Sequence, residues 1–328
     1  MARAIRSATR TAVSALLLAA LAALDALTPP ACAQTFPAKP IRIVVGPGPD
    51  IVARVIGQKL TEAWGQQIVV DTRPGGGGNI AADMVAKATP DGYTLLLASA
   101  TYPINTAMQT ASYDLLKDFA AVVFCASAPF ILVVHPSLPV RSVADLIALA
   151  KSKPGQINYA SAGNGTPPHL AGEMFKTMAQ VDIVHVPYKG AAAGMIDLVG
   201  GQVQMMMAIA SATLGQIHAG KVRALAVSSA RRTRLAPDLP TIAEAGLPGF
   251  EVIGWNGLIA PAGTPAAVID KVNAEALRAL KQNEVRTRLV NAGYDPADDN
   301  TPAQFTAYIK SEIAKWSKLV KESGAKAD

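Results

Sequence analysis

What most narrows the fold is a repeated order: a β-branched run, a small-residue loop, then a helix start. Residues 41–45 form the first run, which breaks at Gly46-Pro47-Gly48-Pro49, and Asp50 precedes an apolar-periodic stretch over 51–64. Residues 68–71 read as the next strand and 73–78 as a loop. Asn79 caps a helix to about residue 88, and Asp91-Gly92 turns into a strand over 94–98. A second series opens with a strand at 131–134, after which Ser142 caps a helix over 143–151. Strands at 157–160, 183–186, 203–208 and 224–228 then alternate with helices at 168–179, 192–199 and 211–219. Such alternation means βαβ units and a largely parallel sheet.

From Pro265 onward the chain reads as almost wholly helical, over 265–282, 284–292 and 302–322. Helices without strands must pack on a sheet supplied by earlier sequence, so the chain is expected to return to its first domain. The length suits two domains, with crossings near 130–135 and 255–261. The expected class is α/β, with residues 34–132 and 259–328 in one domain and 133–258 in the other. Two crossings make a hinge. Ligands in open α/β sheets sit outside the carboxyl ends of the strands, so the cleft between the domains is the expected site.

Arg3, Arg6 and Arg10, an apolar stretch over 12–24 and Ala31-Cys32-Ala33 make the pattern of a secretory signal cut after Ala33. The stretch is shorter than the roughly 20 residues a membrane-spanning helix needs, so the expected location is the periplasm. Loss of three arginines and one aspartate takes the formal charge from +6 to +4, too mild to imply nucleic acid. One cysteine remains, Cys125, inside an apolar run. It forms no intrachain disulfide and reads as a buried small hydrophobe. Without an exposed apolar repeat, the mature chain is expected to be a monomer.

The sharpest local feature is Tyr159-Ala160-Ser161-Ala162-Gly163-Asn164-Gly165-Thr166-Pro167-Pro168-His169, a strand entering a small-residue loop and then a helix. Glycines let backbone approach a ligand, and a helix N-terminus favours an anion. Ser161, Asn164 and Thr166 add neutral donors. The plainer alternative is a tight turn with an ordinary N-cap. Ser99, Thr101 and Asn105 follow a strand of the first domain in the same way. Tyr188, at the end of another strand, is placed to close over a ligand beside Lys189.

Other chemistries fit poorly. Gly46-Pro47-Gly48-Pro49 lacks the third glycine of a dinucleotide loop and loses donors to proline. Residues 73–79 lack the Lys-Ser/Thr ending of a P-loop. His135, His169, His185 and His218 lie in four segments without metal-ligand spacing. Ser161 with His169 has no nucleophile elbow and no evident third partner. No cofactor, metal or catalytic residue is expected, and the chain is not expected to be an enzyme.

Several motifs occur here in one order: Lys39-Pro40-Ile41-Arg42, Asp50-Ile51-Val52-Ala53-Arg54, residues 73–80, Pro90-Asp91-Gly92-Tyr93-Thr94-Leu95, 158–169, 185–190 and 255–265. In these the chain resembles the substrate-binding proteins of tripartite tricarboxylate transporters, the Bug receptors. The resemblance covers essentially the whole mature chain. It implies a two-domain periplasmic-binding-protein fold of Venus-flytrap form. The implied function is to capture a dicarboxylate, tricarboxylate or aromatic acid and pass it to a membrane permease. It carries ligand contacts onto Ser161, Gly163, Asn164, Gly165, Thr166 and His169, and in part onto Ser99, Thr101 and Asn105, with Gly48 and Tyr188 at the edges. The first loop departs from the family pattern, because about four residues are missing around Gly46–Pro49 and with them the usual hydroxyl and backbone donors. Ala208 stands where many relatives carry an aspartate used with amine-bearing ligands. The shortened loop also supports a second expectation, a receptor-like scaffold or sensory partner with weak or no ligand binding.

Overall fold

The first β-branched run forms β1 (Ile41–Val45), buried everywhere except Arg42, as befits a strand covered on both faces. It is flanked in parallel by β2 (Ile68–Thr72) and β3 (Thr94–Ser99). The connections are α1 (Ile51–Trp64) and α2 (Asn79–Ala86). The computed structural model describes residues 36–46 and 48–325, apart from the side chains of Ser211 and Ala212. The expected leader and its cut after Ala33 lie outside the described residues.

Two helix starts differ from expectation. Asp50 makes no side-chain cap bond to α1 and instead pairs with Arg54 at 2.6 Å. Asn79 is the first residue of α2, not its cap. Gly78, with φ of 98°, takes the cap position, and the Asn79 amide donates to the carbonyl of Thr110. Beyond β3, where the sequence reads as a loop, the chain coils directly into α3 (Thr101–Ala107).

β4 (Phe119–Val134) is a single strand of 16 residues. The sequence alone picks out only 131–134, because the part before them mixes Ala, Ser and Cys and carries Pro129, a residue that ordinarily argues against a central strand. The second half holds α4 (Val143–Ser152), capped by Ser142 as expected, then β5 (Asn158–Ser161) and α5 (Pro167–Ala179). It continues with β6 (Val184–Pro187), α6 (Ala191–Val199), β7 (Met205–Ile209), α7 (Ala210–His218) and β8 (Arg223–Val227).

The crossing expected near 255–261 is itself a strand, β9 (Ile253–Pro261). A Cβ at Gly257 would collide with the ring of Phe305. Glycine there lets the last helix lie against the sheet. That helix, α10 (Pro302–Ser323), follows α8 (Ala266–Leu280), α9 (Asn283–Asn291) and the two-residue β10 (Asp295–Pro296).

Strand direction settles where the loops gather. The sheet order is β2-β1-β3-β9-β4-β7-β5-β6, with β8 and β10 also on β4. β4 is antiparallel to β9 over 119–129 and to β7 from Phe130 onward. β9 is also antiparallel to β3, so β1, β2 and β3 run with β4 toward the second half. β5, β6 and β7 are mutually parallel and run against β4, toward the first half. The carboxyl ends of both parallel sets therefore point at the junction between the halves.

α10 ties the halves together. A Thr301–Gln304 capping box starts it. Phe305 and Ile309 join the core of the first half, whereas Trp316 and Leu319 join that of the second. Between them Glu312, 3% exposed, accepts the indole N–H groups of Trp255 at 3.3 Å and Trp316 at 3.1 Å and pairs with Lys315. From Lys39 onward the chain is one compact unit. Among the described residues no helix is long and apolar enough to cross a membrane.

Cys125 is fully buried, and burial pushes its thiol up to about 12, away from the thiolate that reacts. A thiol reagent at pH 8 is expected to leave native protein unlabelled and to label one cysteine of the mature chain in denaturant. Rapid labelling without denaturant would contradict this packing.

Candidate functional site

In the first half, the loops after β1 and β2 meet over one side chain. Gly46 is buried, and a Cβ there would collide with the Tyr102 hydroxyl and stand 3.3 Å from Gly78 Cα. Gly75, Gly76, Gly77 and Gly78 all have positive φ, between 55° and 109°, a run that only glycine adopts readily. Asn105, 7% exposed, holds this turn by donating to the Gly77 carbonyl at 2.8 Å.

Three buried polar atoms here have no hydrogen-bond partner among the described residues: Ser99 Oγ, Tyr102 OH and Asn79 Oδ1. Buried polar atoms are paired in the large majority of cases, so such a cluster calls for an explanation. Burial holds the Tyr102 phenol protonated by pushing it far above its ordinary range. Its hydroxyl is therefore a neutral donor. Thr101 begins α3 and is half-buried, while Gly48 lies exposed on the loop edge with open space around it.

In the second half, residues 162–167 are half-exposed above a buried Ser161. Ser161 Oγ accepts the Gly163 N–H at 3.1 Å and lies 2.7 Å from His185 Nε2. Thr166 Oγ1 donates to the Gly163 carbonyl at 2.6 Å, and Gly165 donates its N–H to His169 Nδ1 at 3.1 Å. Gly163 and Gly165 have φ of 125° and 71°. The start of α5 offers fewer donors than most, because its first two residues, Pro167 and Pro168, carry no N–H. Within the loop the Gly163, Gly165 and Thr166 N–H groups are also engaged, with Ser161 Oγ, His169 Nδ1 and the Gly163 carbonyl.

The β6 loop braces this turn. Tyr188 and Gly190 donate backbone N–H groups to Ser161 and Ala162 at 3.2 Å each. The Tyr188 hydroxyl donates to Asp197 at 2.7 Å, so this side chain is tied to α6. Behind Gly190, at φ 105°, α6 opens with three alanines and has neither a side-chain cap nor an acid in its first turn. An uncapped N-terminus of this kind attracts anions. The sequence signal for this helix start is Gly190 followed by Ala191-Ala192-Ala193; no local signal marks the Gly46–Tyr102 contact or the Ser161–His185 pair.

The two sets of loops come together. A Cβ on Gly165 would stand 3.3 Å from Met108 Sδ at the end of α3, and Ile104 of α3 packs in the second half's core. The helix that begins at Thr101 and carries Asn105 thus reaches the loop after β5 with its C-terminal end. Among the described residues no cluster of three or more His, Cys, Asp or Glu is placed to hold a metal.

Residues 52–325 match the family described as "Tripartite tricarboxylate transporter family receptor". Protein BugT of Bordetella pertussis is 36% identical over 304 residues, spanning 90% of this chain and 93% of BugT. The solved structure of R. palustris Rpa4515 with adipate is similar at 36% identity and a TM-score of 0.78, over 89% of this chain and 100% of that one. MatC (Rpa3494) from Rhodopseudomonas palustris with bound malate is similar at 33% identity and a TM-score of 0.74, over 87% and 100%. The chain therefore belongs to the tripartite tricarboxylate transporter receptor family, the Bug solute-binding receptors, and is a two-domain binding protein, not an enzyme.

Proposed function

We propose that this chain is a periplasmic receptor that captures a small carboxylate between its lobes and delivers it to a membrane permease, acting as a monomer. In this reading residues 34–132 with 259–328 form one lobe and 133–258 the other. The observation that supports it is that the strand carboxyl ends of both halves point at one junction, where Met108 of the first half meets Gly165 of the 161–166 turn, while the Ser99 and Tyr102 hydroxyls lie buried without a partner among the described residues. An ionised carboxylate only accepts hydrogen bonds, and the Ser99 and Tyr102 hydroxyls and the uncapped start of α6 are donors. Adipate and malate in the two relatives make dicarboxylates the first class to try. A ligand gripped from both lobes stabilises the closed form, and the permease recognises that shape.

The test is a thermal-shift screen of residues 34–328 against mono-, di- and tricarboxylates, aromatic acids and uncharged controls. A ligand at a hundred times its Kd adds about 2.7 kcal/mol to native stability, so one acid class is expected to raise the melting temperature. The rise should vanish in the double variant Asn164→Ala, Thr166→Ala. Folded, ligand-free protein that responds to no acid would favour the scaffold or sensory role, with the short Gly46–Pro49 loop as its cause.

A further inference from the structure

The turn after β5 stands on a column of three rings. Tyr159, His185 and His169 stack with centroids 4.8 and 4.1 Å apart and interplanar angles of 24° and 12°. Each imidazole holds a different part of the turn, His185 through Ser161 and His169 through Gly165. A ring nitrogen that accepts a hydrogen bond carries no proton, so His169 is neutral here with its proton on Nε2. The Ser161–His185 bond works in either direction, because the serine hydroxyl also reaches the Gly163 carbonyl at 3.2 Å. The Gly165 bond does not. Protonating Nδ1 sets a donor against a donor and places a charge 4.1 Å from another imidazole.

Among the described residues, titratable groups stand against this column on both sides. Tyr159, on β5, donates its hydroxyl to Glu173 Oε1 at 2.6 Å, and Glu173, one turn along α5 from His169, is 8% exposed. On the β6 side stand His185 itself and, beyond it, the Tyr188–Asp197 pair. Burial of the imidazoles opposes their protonation and a neighbouring carboxylate favours it; either moves the midpoint and leaves the direction unchanged.

We propose that His169 is a positioning residue that holds the 163–166 turn in its binding form only while neutral, so that carboxylate affinity falls on acidification. The inference rests on this turn being the ligand contact proposed above, and one arm of its test needs no ligand. In labelled ligand-free protein, the Gly165 amide resonance and the His169 ring nitrogens are followed from pH 8 to pH 5.5, and the two should move with one midpoint. In parallel, adipate affinity is measured by calorimetry at pH 8.0 and 6.0, where wild type should weaken about tenfold, the equivalent of one lost hydrogen bond.

His169→Asn places an acceptor oxygen where Nδ1 lies but takes up no proton. Its affinity ratio between the two pH values should reflect only adipate's own titration. His169→Leu, lacking any acceptor, should bind about tenfold more weakly than wild type at pH 8.0. A ring that titrates without moving Gly165, or an Asn variant that keeps the wild-type ratio, overturns the proposal. If no acid of the thermal-shift screen binds at either pH while Gly165 still tracks His169, the coupling of ring to turn holds, and the capture reading fails together with the predicted fall in affinity.

Discussion

Replacing Trp316 with alanine is expected to lower the unfolding free energy by about 3–5 kcal/mol, the range for truncating a fully buried tryptophan. Trp316 has no exposed surface and sits in the core of the second half, although its helix begins in the core of the first. Its indole also donates to buried Glu312, which shares that acceptor oxygen with Trp255 on β9. Truncation opens a cavity and removes one of the donors that keep a buried carboxylate satisfied. Denaturant titration followed by far-UV circular dichroism measures the loss. A change below about 1 kcal/mol, the size of an ordinary surface substitution or less, would mean that α10 does not anchor the second half.

Gly163→Val should abolish most ligand binding while leaving the cores intact. The φ of 125° at this position lies in a region almost closed to other residues, and a Cβ would stand 3.2 Å from the Tyr188 carbonyl. Holding such a backbone costs of the order of 3 kcal/mol, so the turn is expected to abandon its shape. The Gly163 N–H then leaves Ser161, and its carbonyl leaves Thr166. An energy of that size corresponds to roughly a hundredfold in affinity. Calorimetry with the carboxylate selected by the thermal-shift screen measures it, and a Kd within threefold of wild type would remove this turn from the site.

Much of the secondary structure was legible because its causes are local. Ile41–Val45 is β-branched, Ser142 offers its oxygen three residues ahead, and the glycines of 75–78 permit positive φ wherever they fold. Where a local rule had two outcomes, legibility stopped. Asp50 and Asn79 are both good caps, yet a nearby Arg54 claimed one and the Thr110 carbonyl the other. Residues 119–130 and 253–261 lack the alternating pattern of a strand, and they pair because β4 and β9 bury one another along the sheet.

The site divides in the same way. Ser161, Gly163, Asn164, Gly165, Thr166 and His169 stand together in the sequence, and their small size and polarity mark a turn that can meet a ligand. Nothing local links Ser161 to His185, Gly46 to Tyr102, or Gly165 to Met108. Read alone, the residues mark most of the helices and strands, the small-residue loops between them and the family to which the chain belongs, since these rest on side-chain period, turn chemistry and motifs within short windows. Packing between distant residues set three things: β4 runs unbroken through both halves, the two sets of carboxyl ends oppose one another, and the Ser99 and Tyr102 hydroxyls lie buried without partners among the described residues. Those outcomes depend on strand direction, register and packing between residues far apart in the chain, which no single stretch of sequence specifies.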